Sequence, residues 1–404
     1  MDALLKTLRI VELGHYIAAP FATRVLADLG ADVIKVEPPG RGDPVRGWGR
    51  QVNGRSLWWS VHGRNKRCVT ANLKSAAGRD LVLKVVAEAD VVVENYRPGQ
   101  LEAFGLGADA LNAARPGIVI VRISGYGQTG PDAPRSGFGV IGEAKGGIRY
   151  LCNHPAAETN LPPVRVGVSI GDNLAGLYGA VGALAAVLDQ RARGATAPRV
   201  IDVALTESVV AQLEGMLPEY GYDGMIRQPQ GSRLPTAAPS NAYPSSDGEW
   251  VLIAANSDNL FAALSRVMGD AGLVDDPRFQ DDPSRLINVA ALDDHIGAWT
   301  RSQTADAIVA ACEAENIPAS KIYTIADVAA DPQYHARGMI QPVADPNFGE
   351  VLHPGVVPVV EGLDRAEHVR WPGPDVGAHN ADVYGAFAGL DAAAIAALKK
   401  DGAI

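Results

Sequence analysis

The sequence predicts an α/β protein: a parallel-sheet domain, a smaller α+β domain inserted after it, and a C-terminal segment that returns to the first. Three observations predict this. The first 37 residues form a compact β–α–β pattern: apolar Leu8–Leu13, a helical stretch opening at Ala18, and a second apolar run, Asp32–Glu37. Adjacent parallel strands need such a helical crossover. Strand-like and helix-like runs then alternate as far as Leu217, where Glu219–Pro239, with Gly, Pro, Gln and Arg, loses periodicity and reads as a linker. A new set of elements starts at Trp250, and a second break falls at Gln333–Gly338.

Taken in order, Pro20 suits the first turn of the first helix, where a missing N–H costs nothing. Phe21, Val25, Leu26 and Leu29 share one side of it, and Gly30 ends it. Pro38–Asp43 is a loop. An apolar strand near Cys68–Asn72, a helix at about Ala76–Ala89 and a strand at Asp90–Val93 lead to Glu94–Gly99. Ile118–Ser124 is a further buried strand. Gly125–Gly130 formally matches the dinucleotide-binding fingerprint, but Pro131 and Pro134 follow where a helix should open, so a glycine-turned loop is expected. Val164–Ile170 is β-branched and ends in Gly171–Asp172. The run Asn173–Gln190 then predicts a buried helix, with Leu174, Leu177, Val181, Leu184 and Leu188 at helical spacing. Gly176, Gly179 and Gly182 imply a face packed closely on another backbone. Arg199–Val203 reads as a strand and Leu205–Leu217 as a helix. Beyond the linker come strand Trp250–Ala255, helices at Asn259–Met268, Val289–Thr300 and Thr304–Ala314, and strand Ile317–Thr324. Gly349–Val360 has β character, and a last helix lies near Asp391–Lys399. The expected boundaries are 1–215 for the first part of the large domain, 216–239 and 328–345 for linkers, 240–327 for the small domain, and 346–404 for the return.

The chain of 404 residues is 47% hydrophobic and 20% charged, an ordinary globular composition. A net charge of −10 argues against nucleic acid or an anionic membrane as partner, while a local basic pocket still admits an anionic small ligand. Three scattered cysteines, Cys68, Cys152 and Cys312, predict free thiols rather than a disulfide framework, and the eight histidines show no metal-ligand spacing. Met1–Leu13 lacks the layout of a signal peptide, and a cytoplasmic protein is expected.

The chemistry narrows by elimination. There is no G-x-S-x-G elbow and no phosphate-binding G-x-x-x-x-G-K-[ST] run. His15 and His62 fall near strand ends, where ligands gather in parallel sheets. Arg41, Lys66, Arg67, Lys74 and Arg97 lie at strand or loop ends; singly they read as solvated charges, together as a cationic edge for a phosphate-bearing ligand. Asp172 has two readings: a helix cap satisfying first-turn N–H groups, or a carboxylate nucleophile on a glycine-lined turn. Spacing alone leaves both open.

The ordered motifs form a resemblance. Leu13–Pro20, Leu29–Glu37 (LGADVIKVE), Asn65–Lys66–Arg67, Asn72–Leu73–Lys74, Val93–Gly99 (VENYRPG), Ser124–Gly127 with Gly130–Pro131, and Gly171–Asp172 before its apolar helix resemble the family III CoA-transferases. The resemblance runs through most of the chain; each motif alone is weak, and the ordered set is specific. It implies a Rossmann-like large domain, a small domain joined by two linkers, and two ring-shaped subunits interlocked as a homodimer. It makes coenzyme A a substrate, with no tightly bound cofactor. It places CoA along His15, Tyr16 and Ala18, along Asn72, Leu73 and Lys74, and along Asn95, Tyr96 and Arg97. A CoA-contacting arginine common after the Ile34–Glu37 strand is Pro38 here, so Arg41 is expected to serve.

The resemblance also makes Asp172 the nucleophile. It would attack a donor acyl-CoA to give an acyl-aspartyl anhydride, then an aspartyl-CoA thioester that the acceptor carboxylate attacks, with nearby backbone N–H groups stabilising each oxyanion. Glu143 stands where many relatives have glutamine, and reads either as positioning the acyl group or as a solvated helix glutamate. The α-methylacyl-CoA racemases of the same family, the alternative reading, pair such an aspartate with a histidine. Here the matching segment is Gly137–Phe138–Gly139, without an imidazole. Phe138–Ala144, Val164–Gly167 and Ala238–Pro244 look closest to branches handling dicarboxylic acids. The expected donor is succinyl-CoA or a similar dicarboxyl-CoA, its distal carboxylate meeting Arg165, Arg233 or His15.

Overall fold

The computed structural model describes residues 3–404; Met1 and Asp2, where the expected large domain starts, lie outside the described residues. Two compact units are present. The first comprises residues up to Arg149, Arg165–Met225 and Pro332–Ile404; the second comprises Tyr150–Val164 and Ile226–Asp331.

The first unit is built on β1 (Arg9–Glu12), β2 (Asp32–Glu37), β5 (Lys66–Thr70), β6 (Val91–Glu94), β7 (Val119–Ser124) and β8 (Arg199–Ala204), with a small hairpin of β3 (Gln51–Val52) and β4 (Arg55–Ser56). Six strands pair in parallel in the order β5-β2-β1-β6-β7-β8. The β-branched runs of β6 and β7 are buried along their whole length, as strands covered on both faces must be. Counting sheet strands along the chain, the order is 3-2-1-4-5-6, the doubly wound arrangement whose ligand crevice opens where the order reverses, between β1 and β6.

The helices of this unit include α1 (Ala18–Asp28), α2 (Leu57–His62), α3 (Ala76–Val86), α4 (Gln100–Ala103), α5 (Ala108–Ala114), α6 (Gly139–Lys145), α8 (Ile170–Arg193) and α9 (Leu205–Val210); the single turn α7 (Ile148–Leu151) runs across the unit boundary. Helices α1 and α8 cover one face of the sheet through Leu8, Ile10, Val33, Val121 and Ile123. Helices α3 and α5 cover the other through Val11, Ile34, Val92 and Ile120, joined by Val383 and Tyr384 near the C-terminus. Gly125–Phe138 contains no helix, as its prolines require.

Helix α8 departs from expectation on which face it buries. Leu177, Val181 and Leu188 are 44%, 64% and 70% exposed, and the buried side is Ala175, Gly176, Gly179, Ala180, Ala183 and Ala186. The reason is close approach. A Cβ on Gly176 would stand 2.8 Å from the Ala18 carbonyl oxygen, and one on Gly182 would stand 2.8 Å from Ile201. Leucines have no room in that seam. By length and composition alone, α8 is the one unbroken helix among the described residues fit to cross a membrane.

A buried ionic knot lies beneath the β1 end of the crevice. Lys35 Nζ donates to Glu12 Oε1 at 2.6 Å and to the Gly14 carbonyl at 2.9 Å, and pairs with Asp43 Oδ2 at 2.7 Å. Lys66 Nζ donates to Glu12 Oε2 at 2.8 Å and to the Pro20 carbonyl at 2.7 Å, and Thr23 Oγ1 donates to Glu12 Oε2 at 2.6 Å. Burial works against the Glu12 anion, yet the Lys35 and Lys66 ammonium groups prevail and hold its carboxyl below the ordinary value. Two members of the expected cationic edge are therefore corrected. Lys66 is fully buried in this knot and Arg67 is paired with Asp32 at 2.6 Å, because both open β5 rather than close it.

In the second unit, β9 (Ser240–Pro244), β10 (Trp250–Ala254) and β11 (Ala319–Lys321) form an antiparallel sheet in the order β11-β10-β9. Helices Asp258–Val267, Val289–Thr300 and Ala305–Ala314 supply its core with Phe261, Leu264, Ile296 and Ile308. Of the two ranges read as linkers, Met216–Asp223 is helical, and Ile340–Asp345 is a strand, β12, paired with β13 (Gly349–Pro354).

Candidate active site

The crevice is assembled from the turns after β1 and β6. The Asn95 side chain bridges them: its Oδ1 accepts from the His15 backbone N–H at 2.8 Å, and its Nδ2 donates to the His15 carbonyl at 2.8 Å. Tyr16 is held in the left-handed region at φ 62°, a conformation that costs a tyrosine energy. What holds it is Asp43, whose Oδ1 accepts from the Tyr16 N–H at 3.1 Å while Oδ2 pairs with Lys35. The His15 ring meets Tyr96 edge-on, with Nε2 3.2 Å from the phenol oxygen. Burial, with Lys35 adding to it, pushes the His15 imidazole down to about 4, so the ring is neutral at neutral pH.

Two adjoining cavities share His15 and Tyr96. One of about 240 Å³ is lined by Tyr16, Ala18, Asn95 and Arg97 on one side and by Gly137, Phe138 and Asp172 on the other. The second, of about 400 Å³, is lined by Arg41, Asn72, Leu73 and Lys74 together with Pro38. All ten expected CoA positions thus line one or other cavity, and Arg41 shares a wall with the Pro38 that replaces the usual arginine. A hollow of about 840 Å³ beyond Tyr16 and Arg41 lacks Asp172 and is polar, with Arg46, Arg55 and Asp375 on its wall.

Asp172 is not the helix cap. Helix α8 begins two residues earlier, at Ile170, with Ser169 at the cap position making no side-chain capping bond, so Asp172 lies inside the first turn. The early start is sterically licensed by Gly171, where a Cβ would stand 3.0 Å from the Gly139 carbonyl oxygen. Among the described residues no donor hydrogen-bonds the Asp172 carboxylate. The carboxylate packs on Gly139 of α6: a Cβ there would lie 2.6 Å from Asp172 Cγ and overlap its oxygen. Burial raises the Asp172 carboxyl to about 6; the Glu143 charge adds to this and Arg165 opposes it.

Glu143 is outside both cavities and is not a solvated helix glutamate: it is 1% exposed, and neither carboxylate oxygen has a hydrogen-bond partner. The cations nearest its Oε2 are Arg149 Nε at 3.5 Å and Arg165 Nε at 3.6 Å. Arg233, in the second unit, is committed to Asp293 at 2.6 Å and to Glu158 at 3.4 Å. Sequence reasoning missed Arg149, which has no helical or strand spacing to Glu143. It also missed the roles of Glu12, Lys35 and Asp43 beneath the His15 turn, which depend on strand register.

Fold and site define a doubly wound α/β protein that presents an unpaired, raised-pKa carboxylate at its switch-point crevice. Comparison with known proteins gives the particular family. Residues 5–380 match the family described as CoA-transferase family III. The chain is 45% identical to a succinyl-CoA–D-citramalate CoA-transferase of Chloroflexus aurantiacus, covering 96% of this chain and 94% of that one. It is 32% identical to a succinate–glutarate CoA-transferase of Agrobacterium fabrum, covering 94% of each. A crystal structure of a CAIB/BAIF family protein from Brucella suis superposes with a TM-score of 0.84 at 32% identity, over 96% of this chain and all of that one. This protein belongs to CoA-transferase family III and is an enzyme of that family.

Proposed function

We propose that this enzyme moves CoA between dicarboxylic acids, with succinyl-CoA or a similar dicarboxyl-CoA as donor, through covalent intermediates on Asp172. The observation that carries the reading is the Asp172 carboxylate: free of donors, raised to about 6 and facing the His15–Asn95–Tyr96 cavity. The relatives that act on succinyl-CoA and succinate support the choice of acid.

An Asp172 oxygen attacks the thioester carbonyl carbon, the C–S bond breaks, and CoA leaves as thiolate, forming a mixed anhydride. The thiolate then attacks the Asp172 carbonyl carbon and expels the donor acid as carboxylate, leaving an aspartyl-CoA thioester. An acceptor carboxylate attacks that carbon in turn, re-forming an anhydride and the thiolate, which takes the acceptor's acyl group and frees Asp172. Charge balances at each step without net proton transfer. The Gly171 and Asp172 N–H groups in the first turn of α8, which the helix does not satisfy internally, serve to stabilise the developing oxyanions. CoA extends along Arg41, Lys74 and Arg97, cations that remain exposed at the crevice. The free carboxylate of the acyl group meets Arg165, Arg233 or His15. We infer a homodimer, interlocked as the family resemblance implies, because the large apolar side chains of α8 face outward.

Mass spectrometry of the protein mixed with succinyl-CoA tests the mechanism: a succinyl or CoA adduct on the Asp172 peptide, lost in Asp172→Ala, is expected, and its absence refutes the covalent route. Two further results follow from the geometry. Adduct formation falls as pH drops through about 6, because only the ionised carboxylate attacks. Glu143→Gln moves that midpoint downward by removing a charge that raises it. A pH-independent rate between 5 and 8 contradicts this. Gly139→Ala folds, because only the end of the Asp172 side chain must move, yet loses roughly 100-fold in kcat through misplacement of the carboxylate. Full activity in that variant would place the reacting group elsewhere.

A further inference from the structure

We propose that Arg149 and Arg165 form a guanidinium pair that binds the distal carboxylate of both the donor and the acceptor acyl group, with Glu143 as its resident counter-ion. The inference rests on the dicarboxylate reading above and names the subsite that reading leaves open among three residues.

Arg149, Arg165 and Glu143 hold unspent hydrogen-bonding capacity. Both arginines approach the same oxygen of Glu143, at 3.5 and 3.6 Å, without hydrogen-bonding it. Glu143 is buried to 1% exposure, and among the described residues neither its oxygens nor Arg149 Nε has a hydrogen-bond partner. Among the described residues Arg165 donates a single long bond, 3.4 Å from Nη2 to the Val168 carbonyl. A guanidinium carries five donors in a planar fork that matches a carboxylate. Their side chains are 29% and 41% exposed, so a ligand can reach them. Of the other candidates, Arg233 is already paired with two carboxylates, Asp293 and Glu158, and His15 is neutral.

Charge counting gives the pair its role. In the free enzyme two arginines face Glu143, and one of them, Arg165, also acts through space on the Asp172 carboxylate, whose ionisation it promotes. Acylation of Asp172 removes one negative charge, and Glu143 then balances only one of the two arginines. A distal carboxylate on the acyl group restores neutrality; a methyl end cannot. Because donor and acceptor acyl groups occupy the same anhydride in turn, one subsite selects both.

The test compares succinyl-CoA with butyryl-CoA as donor to one acceptor, in wild type, Arg149→Gln, Arg165→Gln and the corresponding lysine variants of the full chain. The pair predicts that the succinyl-over-butyryl preference in kcat/KM falls roughly 10- to 100-fold in each glutamine variant, mainly through KM, and recovers in part with lysine. Equal losses for both donors, with the preference intact, overturn the pair and leave the dicarboxylate reading standing. Absence of any preference in wild type overturns both. If the variants do not fold, inhibition of the wild-type protein decides the matter: the inhibition constant of succinate rises with salt more steeply than that of butyrate, and equal salt dependence overturns the pair.

Discussion

Asp172→Asn is expected to fold like the wild type and to lose at least about a thousandfold in CoA transfer, the scale of removing a covalent nucleophile. The amide is nearly isosteric, and its extra protons break no existing bond, because among the described residues no donor serves the Asp172 carboxylate. The helix start is equally indifferent to the change, since the cap position is Ser169. Loss of activity with an unchanged thermal melt therefore isolates nucleophilicity from folding. A variant retaining more than a tenth of wild-type turnover would show that CoA passes without an aspartyl intermediate.

The largest effect on stability is expected at Glu12. Glu12→Gln keeps the shape of the side chain but leaves Lys66, fully buried, with only the Pro20 carbonyl as acceptor, apart from the new amide oxygen, and leaves Lys35 to Asp43 and Gly14. Breaking one partner out of a buried ionic group costs about 3–5 kcal/mol. Urea denaturation followed by tryptophan fluorescence reads it directly, since buried Trp59 belongs to the same unit. The pH dependence carries a sign. The native Glu12 carboxyl lies below its ordinary 4.5, so its contribution is complete above that pH and is lost as pH falls through the native value. The gap between wild type and Glu12→Gln is thus widest at neutral pH and closes in acid. A gap below 1 kcal/mol at pH 7 would mean the knot is not a structural element.

The parallel sheet was legible because β6 and β7 are short runs rich in Val and Ile, and the strand–turn positions of His15, Asn72 and Asn95 followed from it. On α8 the glycines were the better guide: Gly176 packs on the α1 backbone as expected, whereas the leucine spacing misled because periodicity counts large apolar side chains and a seam against backbone selects for their absence. Spacing left Asp172 open between cap and nucleophile for a related reason: Gly171 allows the helix to start early, and local spacing carries no sign of the Gly139 carbonyl against it. Lys66 looked like a surface cation because its partner, Glu12, is 54 residues away and reaches it only through the register of β1, β2 and β5.

The seam between α1 and α8 is made mostly of glycine, alanine and main-chain atoms, which have no rotamers to sample, with the Phe21 ring beside Gly176. Asp172 stands one turn from Gly176, at the end of that seam. Side chains that pack a catalytic element are usually also what loosens it on warming, as more conformations become populated. Here the supporting contact has almost no such entropy to gain. The carboxylate is seated by a joint whose fit is set by backbone geometry and changes little with temperature until the sheet itself comes apart.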